Sequence, residues 1–519
     1  MQEGRGPVAD RSTRRAPAPW GRSAVALDDD RPSHPPDGLT WHGYLIQLLH
    51  IASEIEHALM VQYLYAAYSL NDERRNLSPA ERDKIAQWRK LILSVAKEEM
   101  GHLLTVQNVL CLLGGQMELV RENYPFDSAF YPFPFRLERL SLGSLACYVY
   151  AEMGEMLPHD LAFVDRVCKL VQSHLSGREK GRSRKLKDLR GSNAHQVAKL
   201  YQKISDILED PERIPDKLLV YDSVPCQASA DEWSRGYGIE PLPSPSNAEP
   251  KSGRRRSRDL RRSSEMLAKR IATGAVHAHI MIETAATRQQ ALDALKRIAV
   301  QGEGRGFEPD SHFMRFRSIM LDFLKRRDRN PHWRPPTYAV AEDPLIPWPD
   351  VDDRAPGNRI THPLSEKWGK MFNLRYRMLL TYLSHSFQLA RDGTEARLRG
   401  GVIHRVFAEM YNIKAIAGIL VRLPLTDDER DKTRAGPPFQ MPYTLAISMD
   451  PMDRWRLHLD LLTGALNLNA EINHCLNEFD GRTSWNLQFL RAMLELDRKS
   501  ADWIEKVNAG MARAEAPPP

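Results

Sequence analysis

Taken at alternating steps of three and four, Leu45, Leu49, Ala52, Glu56, Leu59, Tyr63, Ala66 and Leu70 are apolar or aromatic except Glu56. The same stepping through Ile85, Trp88, Ile92, Val95, Glu99, His102, Val106, Val109 and Leu113 is broken only by Glu99 and His102. Such spacing places each set on one helical face, the face that packing buries. An ionised carboxylate on that face is costly unless it is paired or ligates a metal. Bundles with a carboxylate-bridged metal pair take Glu from two helices and Glu-x-x-His from the other two. The two broken stripes therefore predict an all-α four-helix bundle with a metal site at Glu56, Glu99 and His102. A buried Glu–His ion pair without metal, or chance polarity on a surface helix, is the plainer reading.

The pattern continues along the chain. Thr40 is the candidate N-cap of the first helix, which ends near Ser69. Ser78-Pro79-Ala80-Glu81 fits a second helix start with Ser at the cap, Pro at N1 and Glu at N3, and Gly114-Gly115 stops that helix. Residues 121–136 carry Tyr124, Phe126, Phe130, Tyr131, Phe133 and Phe135 among prolines and cannot form a regular helix. They read as an aromatic loop packed over the bundle, or as the wall of an aromatic-substrate pocket. A third helix is expected from about Ser141 to Leu157, with Glu152 breaking the stripe Leu142, Leu145, Val149, Met156. Glu155, one turn on, is the fallback ligand or a solvent-facing carboxylate.

A long insertion follows: 161–210 is amphipathic with a basic centre from Arg178 to Arg190, and 240–264 holds Arg254-Arg255-Arg256-Ser257-Arg258. A fourth helix over about Arg288–Gly302 has the stripe Leu292, Leu295, Ala299, closed by Glu303. It has no Glu-x-x-His. His312 lies nine residues after Glu303, a half-turn offset on one continuous helix. Gly304, Gly306 and Pro309 break that helix, and Asp310 or Ser311 can cap a new one that returns His312 toward the site. On the residues alone, a capping or surface role for His312 fits equally well. Four helical segments then recur at 364–391, 400–421, 451–479 and 483–508, carrying His385, His404, Glu409, His458 and a second Glu-x-x-His at Glu471–His474. No partner stripes broken by Glu match these, so capping and inter-helix hydrogen bonds are the expected roles.

The wording of these segments resembles known ferritin-like proteins. Glu56 followed by Gln62-Tyr63, and Glu98-Glu99-Met100-Gly101-His102 before Leu113-Gly114-Gly115, resemble the first two helices of bacterioferritins. "LLHIASEIEHALMVQYLYAAYSL", "EEMGHLLTVQNVLCLLGG", "QGEG" followed by "SHFMRF", and "AGPPF" resemble the ferritin-like iminophenyl-pyruvate dimer synthases of the violacein and rebeccamycin pathways. The resemblance covers roughly residues 40–480, and the chain looks like only the C-terminal part of the longer violacein-type enzyme. It implies Glu152 as third-helix ligand and, through the "SHF" phrase, His312 as the second His ligand. It also implies oxidative coupling of imines that a flavin-dependent oxidase makes from an aromatic amino acid and hands over. Haem has been associated with the family, but no Cys-x-x-Cys-His occurs here.

The full expected ligand set is thus Glu56, Glu99, His102, Glu152, Glu303 and His312. Four Glu and two His suit two iron ions per chain, with manganese as the alternative, better than zinc. Glu99 and Glu303 are the bridging candidates. The expected function is a non-haem di-iron enzyme performing imine coupling or another oxidation of an aromatic substrate with O2 or peroxide in natural-product biosynthesis. The alternative is a non-catalytic metal-binding or storage bundle. The expected division is a disordered 1–38, a ferritin-like bundle over 39–325 with an insertion at 160–285, a helical region over 360–510, and a disordered 511–519.

Composition adds boundaries. A chain of 519 residues can bury a large core, and 42% hydrophobic with 27% charged residues is ordinary for a globular protein. The net charge of +6 is mild, and the arginine runs lack interleaved aromatics, so no nucleic-acid partner is expected. No run of about 18 apolar residues suggests a membrane span. Five scattered Cys without a CxxC, of which Cys111 and Cys147 read as buried thiols, favour a reducing cytoplasm. The composition leaves room for a homo-oligomer.

Overall fold

The computed structural model describes residues 34–153, 161–176, 196–235, 280–303, 311–347, 358–442, 444–479 and 484–515. The first helix, α1 (Trp41–Ser69), starts where expected: the Thr40 hydroxyl accepts from the Gly43 N–H at 3.0 Å. Helix α2 (Pro79–Leu112) opens on a reciprocal cap. The Ser78 side chain accepts from the Glu81 N–H, and Glu81 accepts from the Ser78 N–H. Each cap satisfies donors that a helix start leaves orphaned. After α2 the chain turns at Gly114, where φ is +66° and a side chain would be strained.

Helix α3 (Leu142–Ala151) is shorter than its periodicity predicts. The Met153 N–H bonds the Tyr150 carbonyl, an i to i−3 bond that tightens the turn, and Glu152 becomes the cap. Glu155 and His159 lie outside the described residues. The insertion supplies α4 (Leu161–Ser176), α5 (Gln196–Glu209) and α6 (Ala230–Arg235); its arginine runs, like residues 1–33, lie outside the described residues. Helix α7 (Arg288–Glu303) is followed by α8 (His312–Arg329), whose cap is Ser311, accepting from the Met314 N–H at 3.3 Å.

Helix α1 packs along α2; α8 packs on α2 and α3; α7 packs on α2, α5 and α8. The fourth side of the bundle is therefore shared between α7 and α8. Helix α5 is part of the same packing, lying against α1 and α7. The expected stripes are the core: Leu45, Leu49, Ala52, Ala66, Ile92, Val95, Val106 and Val109 are all 0% exposed. Burying each large aliphatic side chain stabilises by about 1.5–3 kcal/mol.

Beyond a two-residue parallel pair, β1 (Pro344–Leu345) with β2 (Asn358–Arg359), come α9 (Pro363–Ser386), α10 (Ala396–Leu420), α11 (Pro451–Phe479) and α12 (Ser484–Glu515). Helix α12 continues past the expected boundary at 510. Helix α9 packs on α10 and α11, and α11 on α12. This group docks on the bundle through buried polar contacts. The His57 ring meets the Tyr376 hydroxyl, and Arg121 donates to the Phe439 carbonyl at 2.5 Å. Cys147 is buried, but Cys111 is only half-buried, against expectation; all five cysteines are free. Among the described residues no helix is long and apolar enough to cross a membrane.

Candidate metal centre

Glu56 on α1, Glu99 and His102 on α2, Glu152 at the end of α3 and His312 at the start of α8 converge inside the bundle. None is more than 4% exposed. Glu99 lies between the two imidazoles: its Oε2 is 2.9 Å from His102 Nδ1 and its Oε1 is 3.0 Å from His312 Nδ1. Glu56 Oε2 sits on the His102 side at 3.3 Å, and Glu152 Oε2 on the His312 side at 3.6 Å. The start of a new helix does for His312 what its sequence position requires. Ser311 caps a new helix whose first residue points into the site. Glu303 is the last residue of α7, and its side chain lies outside the described residues. Gly302 beside it lines the site, where an added Cβ would stand 3.7 Å from Glu152 Oε2.

A second layer, unforeseen in the stripes, holds these groups. Tyr63 donates to Glu152 Oε1, and Tyr201, on α5 of the insertion, donates to Glu56 Oε1 at 2.5 Å. His102 Nε2 donates to Gln301 Oε1 at 3.0 Å. His312 Nε2 donates to Glu98 Oε2 at 2.9 Å, and Arg315 pairs with Glu98 Oε1 at 2.8 Å. Glu98 carries no stripe signal, because it sits about 100° round the helix from Glu99. In the fold that flank of α2 faces α8 and is also buried. Arg315 lies one turn after His312, which was its one available signal. Tyr201 had none, because its helix comes from a part of the chain with no spacing relation to the stripes.

Both histidines therefore have Nε2 engaged as a donor, which leaves Nδ1 as the atom turned toward the carboxylates. Burial opposes charge on both rings, but the adjacent carboxylates outweigh it: His102 rises to about 10, and His312 rises well above its usual value. Burial and the neighbouring Glu99 push Glu56 up to about 7. Burial acts the same way on Glu99, but His312 and His102 hold it below its usual value. Three buried atoms, Glu56 Oε2, Glu99 Oε1 and His312 Nδ1, still lack a hydrogen bond among the described residues. Glu99 Oε1 and His312 Nδ1 are within ion-pair distance, yet their angles make no hydrogen bond. Orphaned oxygen and imidazole donors converging in a buried site are what a divalent ion would satisfy. Among the described residues, Glu99, His102 and His312 also form the one cluster compact enough to hold an ion.

A narrow cleft, with an enclosed space of about 20 Å³, opens on this group. Its walls are Leu59, Tyr131, Val197, Ala198, Tyr201 and Ile298, and its floor includes Glu56, Glu99, His102 and Glu152. Of the aromatic loop only Tyr131 reaches it. Phe126 and Phe135 stack on each other, Tyr131 stacks on Phe135 at 3.9 Å between centroids, and the loop is mostly core. In the C-terminal helices no comparable centre forms among the described residues. Glu471 is exposed and pairs with Lys367 at 2.8 Å, and His474 and His404 are also exposed.

The ferritin-like family model matches residues 49–222. The chain is 24% identical over 452 residues to the dichlorochromopyrrolate synthase of Lentzea aerocolonigenes, covering 81% of this chain but 38% of that protein. It spans well under half the length of this curated relative. A ferritin-like protein from Caulobacter vibrioides, of known crystal structure, is 16% identical, with 70% of this chain and 94% of that one covered. Its TM-score of 0.32 is too low to bear on the fold. The chain is thus similar to ferritin-like proteins over residues 49–222 and, across most of its length, to a synthase.

Proposed function

We propose that this chain is a ferritin-like dinuclear metalloenzyme that oxidises an aromatic, amino-acid-derived substrate, with Glu56, Glu99, His102, Glu152, Glu303 and His312 as ligands. The observation that carries it is the convergence of the buried, orphaned Glu56 Oε2, Glu99 Oε1 and His312 Nδ1. Two iron ions, or manganese in their place, would supply the redox chemistry and Lewis acidity that side chains lack. Glu99, which presents one oxygen to each His, would bridge, with Glu303 as the second bridging candidate. Glu56 and Glu152 would be terminal ligands, their outer oxygens held by Tyr201 and Tyr63.

The cleft favours an enzyme over a storage bundle. Its largely apolar lining, with the rings of Tyr131 and Tyr201, is chemically of the kind that favours an aryl group. The similarity to a dichlorochromopyrrolate synthase supports a substrate of natural-product type. Coupling two imines, as their enamine tautomers, would form one carbon–carbon bond and release two electrons and two protons. Peroxide would accept these to give two waters, and O2 would accept them to give peroxide. A flavin-dependent oxidase is the proposed supplier of the imine. The proposed organisation is the bundle over 39–325 with its insertion at 160–285, and a docked helical region over 360–510.

Elemental analysis after anaerobic Fe(II) loading tests the centre. About two irons per chain are expected, and Glu99→Ala should bind neither stably. Metal retained in full by Glu99→Ala, or absent from the native chain, would overturn the proposal.

A further inference from the structure

The two halves of the centre are built from the same ligand types but are backed differently. His312 donates through Nε2 to a carboxylate, Glu98, which is 0% exposed and held by Arg315 at 2.8 Å. Arg315 is itself 1% exposed and also donates to Ser94 Oγ at 3.1 Å. His102 donates through Nε2 to a neutral amide oxygen, that of the half-buried Gln301. A carboxylate behind an imidazole makes its other nitrogen a more basic ligand, and an amide does so far less. The imidazoles differ in the same sense. The carboxylates of both halves line the cleft, but of the two histidines only His102 does, while His312 is fully enclosed.

We infer that the two metal positions are inequivalent: the Glu152–Glu99–His312 position binds tightly and fills first, and the Glu56–Glu99–His102 position binds more weakly and faces the substrate. Glu98 and Gln301 are the positioning residues that set the difference. This rests on the dinuclear reading above. The tight half anchors the centre through an imidazole that lies away from the cleft. The weaker half, with the insertion's Tyr201 on its terminal carboxylate, is the one a substrate in the cleft approaches.

Anaerobic Co(II) titration of the full chain, followed by calorimetry and by the visible ligand-field bands, tests this without any turnover. Two separate binding phases are expected. Glu98→Gln should weaken the first by roughly 10–100-fold and leave the second unchanged. Because Gln at 98 leaves the Arg315 charge without its partner, Glu98→Gln with Arg315→Met is titrated alongside and should behave alike. Gln301→Glu should tighten the second phase alone, and this decides the matter if neither Glu98 variant folds. One phase of two equal sites, equal weakening of both phases by Glu98→Gln, or no tightening in Gln301→Glu would overturn the inequivalence while leaving a dinuclear centre. No Co(II) binding by the native chain would overturn the dinuclear reading itself and this inference with it.

Discussion

Gly101, between Glu99 and His102, shows how closely single residues constrain this site. A Cβ there would stand 2.6 Å from the Met281 carbonyl oxygen and 3.2 Å from Ile280 Cγ2. The segment entering α7 lies directly on α2 at this point, and Thr105 also bonds both the Gly101 and Met281 carbonyls. Gly101→Ala should cost about 1–3 kcal/mol through overpacking, seen as a lower urea midpoint, and should weaken metal binding by shifting His102. An unchanged midpoint would show that the contact gives way freely. At this scale the sequence was informative wherever a polar residue broke an apolar stripe. Glu56, Glu99, His102 and Glu152 were legible for that reason, because a buried carboxylate needs a specific explanation. Glu98 was not, because its burial comes from α8, which the spacing on α2 cannot reveal.

Among the elements, helix starts followed local chemistry, since caps are satisfied by neighbours three residues away. The α3 terminus did not, and although α5 is amphipathic, its periodicity does not say that it packs on α1 and α7. In the C-terminal helices the buried charges took a form that the sequence left open. Arg375 on α9 pairs with Asp497 on α12 at 2.5 Å and with Glu409 on α10 at 3.2 Å, and it is 0% exposed. It ties three helices together. Arg375→Met should leave two buried carboxylates facing each other and destabilise by about 3–5 kcal/mol, read from chemical denaturation. A loss below 1 kcal/mol would mean that the carboxylates find other partners or take up protons at little cost. Glu409, expected to make capping or inter-helix hydrogen bonds, is one side of this ion-paired cluster.

Across the whole molecule the same physics makes stability depend on pH. His385 on α9 and His458 on α11 lie buried, 2.9 Å apart through Nδ1 and Nε2. Burial and the nearby Arg454 charge push His385 down to about 3, and burial with His385 pushes His458 well below its usual value. Folded-state values below the unfolded value of 6.5 give stability that is present above pH 6.5. It is lost as pH falls from there toward about 3, since the unfolded chain takes up protons that the folded one refuses. The denaturation midpoint should therefore fall between pH 7 and 4.5, and His385→Gln with His458→Gln should show a shallower slope. Equal slopes would remove the pair from the acid response. What the sequence determined by itself was the set of local and periodic features: helix stripes, caps, the polar breaks in the core face and hence an all-α bundle with candidate ligands. Those features rest on interactions within a few turns of chain, which composition and spacing encode directly. Tertiary structure alone decided which distant segments meet. It brought Tyr201 to Glu56 across 145 residues and Glu98 to His312 across 214, and put an amide behind one histidine and a carboxylate behind the other. Such pairings are settled by how whole helices share buried surface, a property of the assembled chain that no single stretch carries.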